Sequence, residues 1–176
     1  SEAGESHEFT VLDAGSTTPR SFTMVSADVT SVAVQNVGTI DRDGGKVGYM
    51  LFNDHLAQSE LLLVEAFTEL KAAEVDDLVL DIRYNGGGLL AVASEVAYMI
   101  AGPLRTADQP FEEMRFNSRH TVINPVTGAL LQPSPFFSNA LGFSATPGMA
   151  LPSLELPRVF VLTGSGTCSA SESIIN

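Results

Sequence analysis

Leu78-Val79-Leu80-Asp81-Ile82-Arg83-Tyr84-Asn85-Gly86-Gly87-Gly88 is the stretch on which the fold turns. Its first half is a short, nearly uninterrupted apolar run rich in β-formers, the pattern of a buried strand. Three glycines follow, and then an apolar stretch of helical character from Leu89 to Ile100. Three glycines in a row cost backbone entropy. They also let the backbone approach a ligand closely and turn amides toward it. A plain strand-to-helix turn is the simpler explanation. A phosphate cradle does not fit, because G-x-x-x-x-G-K-[ST] is not met, no lysine follows the glycines, and G-x-G-x-x-G is not met either.

The same strand–turn–helix grammar recurs near the end of the sequence. Val159-Phe160-Val161-Leu162-Thr163 reads as a strand, and Gly166-Thr167-Cys168-Ser169-Ala170-Ser171-Glu172 reads as a turn entering a helix. Ser169 or Ser171, with Glu172 in the first turn, suits a helix start. Backbone amides exposed at such a corner can stabilise an oxyanion. An ordinary capping serine is the commoner reason for this pattern.

Outward from these segments the chain keeps a βα rhythm. Lys46 to Phe52 is a strand, and a helix starts near Ser59, read as its N-cap. That helix carries a stripe of Leu62, Ala66 and Leu70, flanked by Leu63 and Phe67. In the helix near 89–101, Leu89, Val92, Ala93, Val96, Met99 and Ile100 are expected to face inward. Strands 47–52, 78–82 and 158–163 should then share one largely parallel sheet, with the helices near 59–73 and 89–101 packed on it. This is an α/β fold. Residues 103–157 break the rhythm with eight prolines, and they read as a Pro-rich irregular excursion with a hairpin over Phe111 to Val122. Long excursions of this kind often carry recognition or a lid. At the other end, 9–12 and 21–25 read as a hairpin across a turn-rich link, Asp13 to Pro19.

Asp81-Ile82-Arg83-Tyr84-Asn85-Gly86-Gly87-Gly88, Thr167-Cys168-Ser169-Ala170-Ser171-Glu172 and Gly45-Lys46-Val47-Gly48-Tyr49-Met50 together resemble the C-terminal processing peptidases, or tail-specific proteases. The resemblance covers roughly residues 24–176, loosely over 103–157, with Cys168 where the family has Ala. It implies a ClpP/crotonase-like catalytic core over 26–176. The hairpin within residues 1–25 would correspond to the closing strands of the PDZ domain that precedes the core in that family, or equally to a native part of the core. Ser169 would be the nucleophile. Ala170 with Gly87 or Gly88 would supply the oxyanion amides, and Ser171, Asn85 and Gly86 would support them. Substrates would be proteins or peptides cleaved near their C-termini, in the bacterial cell envelope, without a metal or other cofactor. A non-hydrolytic crotonase-like or peptide-binding module using the same glycine amides is the alternative.

A serine hydroxyl needs a base, and the resemblance implies a lysine on a strand after the serine's helix. Both lysines of this sequence, Lys46 and Lys71, precede Ser169. The expectation is therefore that the core is incomplete at its C-terminal side, that the base lies beyond residue 176, and that these residues alone are inactive. His55 and His120 are weaker candidates for a base, and His7 lies in a frayed end. Cys168 as nucleophile is a minor alternative, since no histidine is near it in sequence. No H-E-x-x-H and no cysteine pair suggest a metal site.

Composition narrows the partners. The 176 residues suit one core-forming domain, with 44% hydrophobic and 17% charged residues arguing against disorder. A net charge of −12 argues against nucleic acid and anionic membranes. No apolar run reaches membrane-spanning length. The acidic start Ser1-Glu2-Ala3-Gly4-Glu5 does not read as a signal peptide.

Overall fold

A computed structural model of the chain describes residues 2–29 and 31–176. It comprises two compact units, Ser1–Ser31 and Val32–Asn176. In the first, strands β1 (Ser6–Val11) and β2 (Arg20–Val25) pair antiparallel from Ser6↔Val25 to Val11↔Arg20. Phe9 stacks on Phe22 with ring centroids 5.8 Å apart. Arg20 Nε lies 2.8 Å from an Asp13 carboxylate oxygen across the connecting turn.

The second unit is built on a four-stranded sheet. β3 (Val34–Arg42) runs antiparallel to β4 (Gly45–Phe52), joined by a two-residue turn with Gly44 at φ 80°. α1 (Ser59–Ala72) then crosses to β5 (Asp77–Asp81), which pairs parallel with β4. α2 (Leu90–Ala101) and a short α3 (Pro103–Thr106) follow. The excursion contains β6 (Pro110–Glu112) and β7 (Ser134–Pro135), which pair with each other. The chain returns as β8 (Val159–Leu162), parallel to β5, and enters α4 (Ala170–Ile175). The sheet order is β3-β4-β5-β8. The three strands read from the sequence thus share one sheet with parallel pairing, as the βα rhythm implies.

The core is the apolar side of these elements. Met50 and Phe52 of β4 and Leu78 and Leu80 of β5 meet Leu63, Phe67 and Leu70 of α1 and Val92, Val96 and Met99 of α2, all fully buried. Burial of this kind contributes about 1.5–3 kcal/mol per large side chain.

Several local readings need correction. β3 was not read from the sequence. Its apolar residues do not alternate, and a bulge between Gln35 and Gly38, with Asn36 at φ 53°, breaks the period. Leu89 is 38% exposed rather than inward, because it is the extended residue preceding α2. Ser59 is the first helical residue and not the cap. Its hydroxyl donates to the Asp54 carbonyl (2.7 Å) and accepts the Leu56 N–H (3.1 Å), closing the turn before α1.

The hairpin expected over 111–122 is absent: β6 pairs with residues 134–135, and Ile123 bridges Leu130 instead. The later part of the excursion is pinned from beneath by two buried helical carboxylates. Glu60 accepts the amides of Gly142 (2.9 Å), Ser144 (2.7 Å) and Ala145 (2.8 Å), and Glu95 accepts that of Leu141 (3.1 Å). Desolvation pushes the Glu95 carboxyl up to about 8. It is therefore protonated at neutral pH and shares its hydrogen bond with Glu60.

Candidate active site

Because β4, β5 and β8 are parallel, the segments leaving them emerge on one edge of the sheet. There the loop after β5 and the loop after β8 are joined atom by atom. The Ile82 N–H donates to the Leu162 carbonyl (2.9 Å), extending the pairing past the strands. Thr167 Oγ1 donates to the Ile82 carbonyl (2.8 Å) and accepts the Gly164 N–H (2.9 Å). Cys168 Sγ lies 3.0 Å from the Gly86 carbonyl, and Ser171 Oγ donates to the Asn85 carbonyl (3.1 Å). The sequence places these partners about eighty residues apart; the sheet places them in contact.

Asn85 organises the glycine turn. It is fully buried, its Nδ2 donates to the Phe52 carbonyl (3.1 Å), and its Oδ1 accepts the Gly87 N–H (3.0 Å). The Gly87 amide is thereby used within the turn, so of the two glycine amides expected to face an oxyanion it is the one already engaged. What Gly87 contributes is room. A Cβ there would lie 2.7 Å from Ser169 Cβ and 3.0 Å from the Ala170 nitrogen, and its φ is +101°.

Gly88 keeps its amide. The Gly87 carbonyl accepts the His55 N–H (3.2 Å). In a trans peptide the C=O and the following N–H point in opposite directions. The Gly88 N–H is therefore turned away from His55. Gly88, Ser169 and Ala170 line one cleft of about 470 Å³, together with Leu90, Phe111, Glu112, Glu172 and Ser173. Among the described residues neither the Gly88 nor the Ala170 N–H has a backbone partner.

Ser169 stands at the corner with φ 56° and ψ −128°, a conformation L-residues rarely adopt. It is the N-cap of α4 and forms a capping box with Glu172, whose carboxylate accepts the Ser169 N–H at 3.1 Å. The capping reading of this serine is thus correct as far as it goes. A cap, however, does not by itself require a strained backbone.

Asp81 and Arg83 brace the strand end. Arg83 binds the buried Asp81 carboxylate at 2.7 Å, and Tyr49 donates to it at 2.8 Å. The Arg83 hydrogen bonds, foremost, hold the Asp81 carboxyl down at about 2.

Neither lysine serves this edge. Lys46 opens β4 at the opposite end of the strands and donates to the Ala73 carbonyl (2.8 Å), and Lys71 lies in the last turn of α1. His55 is buried against the Phe52 ring, with Nδ1 bonded to Asn85 and no hydrogen bond to Ser169. His120 lines a separate cavity with Met114, Phe116 and Leu131. The part played by Phe111 and Glu112 in the cleft was not readable from the sequence. They reach it only because β6 pairs far along the excursion, and Ser173 Oγ bonds Glu112 at 2.7 Å.

The sequence profile of Peptidase family S41 matches residues 46–176. A carboxyl-terminal-processing protease of a Picosynechococcus strain is 35% identical over 57 residues, 32% of this chain and 14% of that protein. The crystal structure of a candidate S41 protease from Bacteroides fragilis superposes with a TM-score of 0.66 at 25% identity, over 99% of this chain and 45% of that one. A photosystem II D1 C-terminal processing protease shares the fold, with a TM-score of 0.58 at 24% identity over 99% of this chain and 41% of the other. The chain thus spans less than half the length of each of these relatives. With both turns lying inside the matched residues, the chain belongs to peptidase family S41.

Proposed function

We propose that this chain carries the nucleophile and oxyanion hole of a serine endopeptidase that trims protein substrates near their C-termini. One observation carries the reading. Ser169 is held in a strained corner, and the Ala170 and Gly88 amides, without a backbone partner among the described residues, belong to residues lining the same cleft. In this reading Ser169 Oγ attacks the scissile carbonyl carbon. The new O–C bond forms as the carbonyl oxygen takes the negative charge, between the two N–H donors. The C–N bond then breaks, the amine leaves with the proton taken from Ser169, and water later releases the acyl group. Each such donor is worth about 10²–10³ in turnover. Asn85, Gly86 and Ser171 support the turn. The base would be a desolvated lysine from outside these 176 residues, on a ClpP/crotonase-like core.

A PDZ-type domain closed by the β1–β2 hairpin and an envelope or exported location complete the reading. The decisive experiment is labelling of the full-length protein with a fluorophosphonate. Wild type should be labelled and Ser169→Ala should not. Absence of labelling in wild type would favour a non-hydrolytic module that merely holds a carbonyl or chain end at the same amides.

A further inference from the structure

We infer that His55 is a positioning residue for the oxyanion hole, fixing through its backbone and through Asn85 the direction in which the Gly88 N–H points. This role presupposes the peptidase reading above.

His55 grips the glycine turn three times. Its N–H donates to the Gly87 carbonyl at 3.2 Å, and its carbonyl accepts the Leu89 N–H at 2.9 Å. Gly88 is thereby clamped from both sides by one residue, as an isolated parallel bridge. The approach is so close that a Cβ on Gly88 would lie 2.6 Å from the His55 carbonyl oxygen. The third grip is the ring: Nδ1 lies 3.0 Å from Asn85 Oδ1.

The hydrogen bonds of Asn85 settle which nitrogen carries the proton. Its Nδ2 donates to the Phe52 carbonyl, and its Oδ1 already accepts the Gly87 N–H. Oδ1 can only accept again, so His55 Nδ1 is the donor and Nε2 bears the lone pair. Nε2 is buried and has no hydrogen-bond partner among the described residues. A buried unpaired nitrogen is unfavourable, and a phenylalanine there would avoid it. Retaining an imidazole makes sense if the Nδ1–H···Oδ1 bond orients Asn85, which in turn holds the Gly87 amide away from the cleft. The Gly87–Gly88 peptide is then locked with its oxygen toward His55 and its neighbouring N–H toward the carbonyl to be stabilised.

The groups facing the ring are the Phe52 face, with centroids 4.5 Å apart, the Asn85 amide and the glycine backbone. Asp54 is the nearby charge. Burial holds the His55 imidazole below its ordinary value of 6.5, against the opposing pull of the Asn85 side chain, the Gly87 backbone and the Asp54 charge.

The test uses full-length protein and three variants, reading the rate of Ser169 phosphonylation by a fluorophosphonate beside peptide kcat and KM. In that step the Oγ–P bond forms, fluoride leaves, and the hydroxyl proton passes to the base. His55→Phe keeps the ring and loses the donor. It should slow phosphonylation by about 10²-fold and lower kcat rather than raise KM. His55→Asn places an N–H where Nδ1 sits and should recover to within about tenfold of wild type.

His55→Phe that melts like wild type and reacts like wild type overturns the role. So does a folded His55→Asn that reacts about 10²-fold slower than wild type although its N–H is restored, which decides the matter if His55→Phe does not fold. Labelling that survives Ser169→Ala would instead overturn the peptidase reading on which the role stands.

Discussion

Gly86 and Gly87 are neighbours in sequence and opposites in physical consequence, which makes them the sharpest probe of the site. At Gly87 an added methyl would sit 2.7 Å from Ser169 Cβ and 2.9 Å from the Cys168 carbonyl oxygen. Carbon–carbon contacts are comfortable near about 3.5–4.0 Å, so the two turns must part by about 1 Å. The residue would also be held at φ +101°, a strain of order 1–3 kcal/mol for an L-residue. At Gly86 the nearest heavy atom is the Gly166 carbonyl oxygen, 3.9 Å away, and φ is not in the positive region. Gly86→Ala should therefore be neutral or stabilise by about 0.4–1 kcal/mol, because the unfolded chain loses freedom. A misplacement of about 1 Å at a reacting centre costs on the order of 10²-fold. Gly87→Ala should lower Ser169 labelling by that factor and shift the urea midpoint down, while Gly86→Ala leaves labelling within about twofold. Urea unfolding and fluorophosphonate kinetics on the two variants, side by side, give the answer. Equal behaviour of the two would refute the claim that the glycine turn and the Ser169 turn are packed against each other.

The remaining predictions concern the buried polar groups. Ser171→Ala removes a hydroxyl that bonds the Asn85 carbonyl; it should cost about 1 kcal/mol of stability and slow labelling far less than Ser169→Ala abolishes it. The 176-residue polypeptide, in which Lys46 bonds Ala73 at the far end of the sheet, should hydrolyse peptides no faster than its own Ser169→Ala variant, and Ser169-dependent turnover would show that a base lies within it. Glu95 has its folded value raised from 4.5 to about 8. Its stabilising contribution is thus full below about pH 4.5 and is lost as pH rises toward about 8. Glu95→Gln, which keeps a donor for Glu60 and an acceptor for Leu141, should remove that slope. Melting curves should show it more stable than wild type by at least about 1 kcal/mol at pH 8 and little different at pH 4.5, with unchanged pH dependence as the refuting result.

What the sequence disclosed follows from which forces are local. The strand from Leu78, the helices and the final strand announce themselves by apolar period, which depends on residues a few places apart. β3 does not, because six of its nine residues are exposed at a sheet edge and a bulge breaks the alternation. β6 and β7 are too short for any period, and their partnership spans more than twenty residues. Glu60 and Glu95 carry no mark in the sequence that distinguishes them from other helical carboxylates. Only the fold shows them buried beneath the excursion, accepting amides from residues 141–145. At the site, the residue types in the two turns were legible as motifs. The choice between Gly87 and Gly88 was not, because it depends on where the Asn85 side chain points.

That choice says why the turn needs an asparagine at 85. The position must accept twice, from Gly87 N–H and His55 Nδ1–H, and donate once, to the Phe52 carbonyl. An ionised aspartate could accept but not donate, and would leave the Phe52 carbonyl without its donor. A glutamine would push the amide about one methylene too far to serve all three partners. Only the short amide meets the count. The same network explains how a chain tolerates Ser169 at φ 56°, two glycines at positive φ and a His55 nitrogen with no partner among the described residues, all packed in one corner. Each is unfavourable alone, and none would persist on a free loop. They persist because Thr167, Ser171 and Asn85 tie the loops after β5 and β8 into a single body. Loosening any of these ties should relax the Ser169 corner before it unfolds the sheet.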